Sequence, residues 1–196
     1  MYEYTDKVIK KLNKNYLRLF SKLNFIKFDE LNVISTVSKV YKQAYELAKQ
    51  NYIDLALWYY KEISGKELSH KKAVDIVEEM LEEYNDITFY VFNHEVDRKK
   101  ARMYEAILAS QNSKSKEIRK NFYYWILQSK QYADFITDRA VLEAYKEIGV
   151  KKVRWKTAED EKVCNYCQKR DNKVYPIDKL PKKAHYNCRC WLEVVK

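Results

Sequence analysis

Only four of the 196 residues are glycine or proline, and they are Gly65, Gly149, Pro176 and Pro181. A protein built from many short strands needs many tight turns, and tight turns draw heavily on these two residue types. The scarcity therefore predicts long helices and excludes an all-β fold. It also excludes the glycine-rich loops that cradle phosphates and the glycine-flanked turns that expose a catalytic serine.

Apolar side chains recur at helical intervals through most of the chain. This pattern predicts helices over residues 2–23, 33–63, 70–85, 91–110 and 116–148. Ser69 and the serines of segment 113–115 are predicted N-caps for two of these helices, and Gly149 is a predicted C-cap for the last. For the aromatic run from Phe122 to Trp125, helical spacing predicts packing in the core rather than stacking on nucleic-acid bases.

The period of the pattern changes after Gly149. Val153 and Trp155 alternate with basic residues, as in a strand that exposes one face. We therefore predict a mainly α protein with a helical body over residues 1–149. A small zinc-binding module with short strands is predicted over residues 150–196.

All four cysteines lie in the last fifth of the chain. Cys164 and Cys167 form a Cys-x2-Cys pair, and His185 and Cys188 have the same spacing, so two turns can present facing pairs of ligands to one zinc ion. Cys190 shares a face with Cys188 on an extended segment, so either His185 or Cys190 can complete the site. Because His-x2-Cys repeats the spacing of Cys-x2-Cys, we favour His185.

The alternatives to zinc are two disulfides or four free thiols. The chain starts with MYEYTDKVIKKLNKNY, which is polar and basic and does not resemble a secretory signal, so a reducing compartment is expected and disulfides are disfavoured. A redox Cys-x2-Cys requires a βαβ context, which the pattern does not show. A catalytic zinc leaves one position to water, whereas five candidate ligands favour a closed structural site.

The excess of positive charge is concentrated at the C-terminal end. The formal net charge is +10, and residues 151–196 carry 13 Lys and Arg against 6 Asp and Glu, a net +7. A basic surface of this kind favours polyanions because binding releases counterions from phosphates, although such lysines also serve solubility alone. The candidate polyanion-binding residues are Lys151, Lys152, Arg154, Lys156, Lys169, Arg170, Lys182, Lys183 and Arg189.

The enzymatic alternative is a metal-dependent HNH-type nuclease, which also combines Cys-x2-Cys with histidine. Such a site needs a general-base histidine and further metal-holding His or Asn side chains beside a phosphate. The module has one histidine, His185, which the zinc site already requires. We therefore expect neither an enzymatic activity nor a small-molecule substrate. No membrane partner is expected either, because no apolar run approaches the roughly 18 to 20 residues of a membrane span.

The run from Gly149 to Val194 resembles the C-terminal signature of phage minor head proteins, the Mu-F-like head morphogenesis family. The matching positions are Gly149, Trp155, Asp160, Cys164, Cys167, His185, Cys188, Arg189 and Cys190. The upstream segments FNHEVDRKKARMYEAILAS and ITDRAVLEAYKEIGV are similar to helical segments of minor head proteins from phages of Gram-positive hosts. The chain departs from the signature at Asn172, where the family usually has glycine, and at Tyr186, where it usually has proline.

The resemblance implies a low-copy structural protein near the portal vertex inside the phage head. It implies portal protein, other head proteins and packaged DNA as partners, and no established enzymatic activity. The implied location is the capsid interior of the virion, after assembly in the host cytoplasm. The main alternative is a zinc module that binds DNA without sequence specificity.

Overall fold

In the computed structural model, residues 3–25, 30–83, 101–109, 111–183, 188 and 190–195 are described. The helical part comprises α1 (Glu3–Ser21), α2 (Glu30–Ser64), α3 (His70–Glu83), α4 (101–109) and α5 (Gln111–Glu147). It is followed by β1 (Lys152–Thr157), the short helix α6 (Asn165–Gln168), β2 (Val174–Pro176) and β3 (Cys190–Val194). Two 3₁₀ turns, Lys22–Phe25 and Ile177–Lys179, complete the described elements. The prediction of a mainly α chain with a small C-terminal β module is confirmed.

The helix ends follow the signals in the sequence with one exception. Gly65 and Gly149 adopt left-handed backbone with φ of +69° and +79°, the conformation that ends helices at glycine. The Ser69 hydroxyl accepts a hydrogen bond from the Lys72 amide at 3.2 Å, as an N-cap does. The predicted cap at 113–115 is wrong, because α5 begins at Gln111. Of the predicted helix 91–110, residues 91–100 and 110 lie outside the described residues.

The core of the helical body lies between α1, α2 and α5. Leu12, Tyr16 and Phe20 of α1 are at most 1% exposed. They recur every four residues, so one face of the helix enters the core while the other stays in water. Among the described helices, none is long and apolar enough to cross a membrane.

Hydroxyl groups inside the core pair with one another across helices. Thr5 Oγ1 lies 3.0 Å from both Tyr59 OH on α2 and Thr137 Oγ1 on α5. Further along, Tyr16 OH lies 2.6 Å from Ser129 Oγ. Because a buried hydroxyl without a partner is costly, these pairs fix α1 in register against α5.

The aromatic run on α5 is divided between core and surface. Trp125 is 5% exposed, and its ring meets the rings of Tyr16 and Tyr41 edge to face at centroid distances of 6.0 and 5.6 Å. Tyr123 is 61% exposed. The predicted core role is therefore right for Trp125 and wrong for Tyr123, since four consecutive helical residues cannot all face one side.

The three strands form an antiparallel sheet in the order β2-β1-β3. Val153 of β1 and Ile177 are buried in the same apolar core as the helices. Trp155, two residues further along β1, belongs instead to a second small cluster with Val163 and the thiols of Cys167 and Cys190. The sheet thus packs against the helical body near Val153 and contacts the cysteine cluster through Trp155.

Candidate metal centre

The first pair of cysteines is held by a compact turn around α6. The Cys164 carbonyl accepts hydrogen bonds from the amides of Cys167 and Gln168 at 3.0 and 2.9 Å. Just before this turn, the Asp160 side chain accepts from the Lys162 amide at 3.1 Å. A short aspartate that bonds its own backbone two residues on is a common way to start a turn. Asp160 therefore positions the turn that brings Cys164 and Cys167 together.

The second pair comes from the start of β3. Cys190 is its first residue, pairs with Thr157 of β1 and is 1% exposed. Cys188 precedes it by two residues, so the two thiols share one face as predicted. The Tyr166 hydroxyl, inside the first turn, donates to the Lys182 carbonyl at 3.0 Å. This bond ties the first turn to the segment that leads to Cys188.

A tight connection between β1 and the rest of the module fixes the geometry further. Asn172 has φ of +60°, and its amide donates to the Trp155 carbonyl at 2.8 Å. The Asp171 carboxylate accepts from the Thr157 amide, also at 2.8 Å. Asparagine tolerates the left-handed conformation better than most residues, which explains how it replaces glycine here.

Three of the cysteine sulfur atoms lie close together. The Sγ atoms of Cys167, Cys188 and Cys190 all lie within 4.8 Å of one another. The Cys167–Cys188 distance is 2.9 Å, Cys188–Cys190 is 3.1 Å and Cys167–Cys190 is 3.9 Å. Sulfurs of a tetrahedral zinc site with bonds of about 2.3 Å lie about 3.8 Å apart. The Cys167–Cys190 distance matches this value and the other two sulfur pairs are closer together, so the three thiols lie near enough to hold one metal ion.

Cys164 belongs to the same cluster but lies outside this closest group. It packs against the cluster of Trp155, and its thiol is hydrogen-bonded to Cys167. Of the five predicted ligands, the structure brings the four cysteines together. His185 lies outside the described residues.

Crowding makes the thiolate forms unfavourable without a cation. Burial, with hydrogen bonds to the Cys188 and Cys164 thiols that favour the protonated form, raises the pKa of Cys167 to about 12. The hydrogen bond with Cys190, followed by burial, raises the pKa of Cys188. Neighbouring thiols that compete for protons in this way are stabilised as thiolates by a metal ion, whose charge inverts the local electrostatics.

The predicted polyanion-binding residues have different surroundings in the structure. Lys151, Lys152, Arg154 and Lys169 are exposed. Lys156 is partly buried and contacts Glu159 and Asn172. The Arg170 guanidinium lies 3.3 Å from the centre of the Tyr166 ring, where it supports the first turn. Arg189 lies outside the described residues.

Lys183 has a structural contact that the sequence did not reveal. Its ammonium forms an ion pair with Asp138 of α5, and the two side chains are 11% and 16% exposed. The pair joins the segment before Cys188 to the helical body. Neither this pair nor the Tyr166 bond has a signal in local sequence, because each joins residues that are far apart along the chain.

Comparison with known proteins finds a family model that is similar to the C-terminal part of the chain. Residues 130–193, about a third of the chain, match the family model described as phage Mu protein F like protein. The matched stretch contains all four cysteines and extends from α5 into β3. It confirms the predicted resemblance over these residues. No curated protein and no solved structure matches the chain significantly.

Proposed function

We propose that this chain is a structural protein of a phage head, acting in head morphogenesis, and that its C-terminal module folds around a zinc ion. The match of residues 130–193 to the phage Mu protein F like family carries the proposal. Its sequence signature resembles that of minor head proteins, which implies portal protein and other head proteins as partners. The protein would then reside in the virion.

The cysteine cluster supports a structural role for the metal. Cys167 and Cys190 are each 1% exposed, whereas Cys164 and Cys188 are partly exposed, so half of the proposed thiol ligands lie inside the protein. The soft thiolate ligands offered here suit zinc, and a set of four protein ligands leaves no position for a reacting water. We propose Cys164, Cys167, Cys188 and Cys190 as the ligands, with His185 as the alternative to Cys190.

This arrangement also supports a non-enzymatic function. A structural zinc ion bound by these residues would join the turn around α6 to the start of β3. The Tyr166 hydrogen bond and the Lys183–Asp138 ion pair join the same segments and the helical body. The module would then present a fixed surface on the bundle, as a protein that docks within an assembly requires.

Complex formation with portal protein tests the proposed role. The metal-loaded full-length chain, mixed with the portal protein of the same phage, should elute with it on size exclusion. The C167S variant, which lacks a central thiol, should bind more weakly if the folded module contributes to the contact. Failure of the metal-loaded chain to bind portal protein or any other head protein would contradict the assignment.

A nuclease assay distinguishes the enzymatic alternative. Incubation of the metal-loaded chain with duplex DNA and Mg²⁺, Mn²⁺ or Zn²⁺ should leave the DNA uncut, because a metal ion with four protein ligands has no free position for a phosphate. The H185A variant is the matched control. Cleavage by the unmodified chain that disappears in this variant would favour the HNH-type nuclease instead.

A further inference from the structure

The cations of α1, with Lys22 of the 3₁₀ turn that follows it, form one continuous stripe on the outside of the bundle. Between residues 7 and 22 the sequence has six Lys and Arg and no Asp or Glu. All six are exposed: Lys7, Lys10, Lys11, Lys14, Arg18 and Lys22. Apart from the adjacent Lys10 and Lys11, they follow one another at intervals of three or four residues, which places them on one side of the helix. This α1 stripe lies opposite the buried Leu12, Tyr16 and Phe20.

The α1 stripe differs from the charged faces of α2, α3 and α5, where several cations pair with acidic neighbours. None of its six cations forms an ion pair with any residue that the structure describes. Elsewhere cations do pair, as Lys49 does with Glu78 at 2.6 Å and Lys146 with Glu143 at 3.1 Å. Like charges three or four residues apart destabilise a helix. A bound polyanion would remove that repulsion.

We infer that the α1 stripe binds the phosphate backbone of duplex DNA without reading its sequence. The stripe extends over about 15 residues, or roughly 22 Å at 1.5 Å per residue. One strand of B-DNA advances about 3.4 Å along the duplex axis per phosphate, so about six phosphates of that strand fall within this length. Because the strand winds around the axis, a straight stripe faces some of them. Six cations without an ion pair in the described part of the chain can therefore contact several phosphates at once.

Other polyanionic partners fit the α1 stripe less well. Helices that lie on membranes insert their apolar face, but the apolar face of α1 is buried in the core. Proteins that hold single strands expose aromatic rings for the bases. On α1, Tyr16 and Phe20 are buried, and Tyr4 stacks on Trp58 at a centroid distance of 4.2 Å. Backbone binding to a duplex needs charge alone.

The inference would suit a protein inside a DNA-filled head, but it does not rest on that role. It uses only charge and exposure on α1, which lies outside the family match at residues 130–193. A failure of DNA binding would therefore leave the proposed head function intact. A failure to bind portal protein would likewise leave this inference intact.

Three variants of the full-length, metal-loaded chain separate the α1 stripe from other basic surfaces. Each removes four positive charges from exposed positions. The stripe variant is K7Q/K10Q/K11Q/K14Q, the module variant is K151Q/K152Q/R154Q/K169Q, and the scattered control is K39Q/K42Q/K71Q/K116Q. Glutamine and lysine have similar helix propensity, so α1 should remain folded, which circular dichroism checks.

Fluorescence anisotropy with a labelled duplex of arbitrary sequence measures binding across several salt concentrations. The unmodified chain should bind with a Kd on the order of 10⁻⁴ to 10⁻⁶ M at physiological salt and more tightly below it. The stripe variant should bind at least about tenfold more weakly at low salt, with a log–log salt slope shallower by about three, because each phosphate contact contributes about 0.9 to the slope. The scattered control should lose much less affinity.

Restoring charge provides the complementary measurement. The K7R/K10R/K11R/K14R variant keeps four cations on the stripe and should bind like the unmodified chain. The inference is wrong if the unmodified chain does not bind duplex at low salt, or if the stripe variant binds as well as it does. It is also wrong if the scattered control or the module variant loses as much affinity as the stripe variant, because net charge or the module would then explain binding.

Discussion

The helical body and the C-terminal module are stabilised by different means. The body buries large apolar side chains such as Leu12, Tyr16 and Phe20 between three long helices. The second core, inside the module, consists of Trp155, Val163, Cys167 and Cys190, so half of its buried residues are cysteines. Hydrocarbon burial alone can fold the body, whereas the module has too little of it.

This difference indicates which part of the protein a metal ion would stabilise. Val153 of β1 and Ile177, which follows β2, are buried in the core of the helical body. This side of the module can therefore stay in place without metal. The turn around α6 meets Cys188 and the start of β3 at the cysteine cluster, and the Tyr166 bond joins it to Lys182 upstream of them. We therefore expect metal loss to unfold one end of the molecule and spare the other.

Removing the metal should have the largest effect. The purified chain should carry one zinc ion, and a strong chelator should unfold the turn around α6 and the segment from Cys188 into β3, because roughly 10 kcal/mol or more of binding energy is folding energy in such sites. Hydrogen exchange should show lost protection in α6 and β3 but not in α1, α2 or α5. Simultaneous loss of protection in both regions would show that the helical body also depends on the metal.

Single substitutions then identify the fourth ligand within that experiment. C190S should lower the zinc content and affinity strongly if Cys190 is a ligand, and H185A should leave both nearly unchanged. The opposite result would assign the position to His185. Either variant serves as the control for the other, and elemental analysis with a competing chelator provides the measurement.

A cavity in the helical body should destabilise the protein less than metal loss does. Its effect should be confined to the helical body. L12A removes a side chain that is 0% exposed and should lower the free energy of unfolding by about 2–5 kcal/mol. L17A on the same helix is the control, because Leu17 is 57% exposed and its loss should cost less than about 0.5 kcal/mol. Chemical denaturation measures both. Reduced zinc content in folded L12A would show that the regions are not independent.

Local sequence patterns predicted the elements well but not the contacts between them. Gly65, Gly149 and Ser69 act on neighbouring backbone, so their roles at helix ends could be read directly from the chain. The spacing of the cysteines likewise predicted a shared site, and the thiols of Cys167, Cys188 and Cys190 do lie within 4.8 Å of one another. These signals need no knowledge of the tertiary fold.

The features that were missed depend on the packing of distant segments. Lys183 looked like a surface cation, but its partner Asp138 lies on α5 and holds it in an ion pair. Tyr123 continued an aromatic run, yet its position on α5 turns it to solvent. The spacing of the α1 cations was visible in the sequence, whereas their lack of acidic partners among the described residues became visible only in the structure.

Asp134 offers the smallest and most specific test of the body. Burial, together with repulsion from Asp138, raises its pKa from an ordinary 3.8 to about 6. Between these values the folded chain holds a proton that the unfolded chain has lost, so the free energy of unfolding falls as the pH rises from about 4 to about 6 and then levels off. The charged form of Asp134 therefore destabilises the folded protein at neutral pH.

D134N should remove that penalty. At about pH 7.5 the variant should unfold with up to about 3 kcal/mol more free energy than the unmodified chain, because each pKa unit corresponds to about 1.4 kcal/mol, and at about pH 5 the gain should be roughly half as large. D54N, at an exposed position of α2, changes the net charge equally and should show no such gain. Denaturation at both pH values, followed by far-ultraviolet circular dichroism, reports on the helices. Equal gains at the two pH values would point to packing rather than charge. A loss at about pH 7.5 would show that the carboxylate of Asp134 stabilises the body.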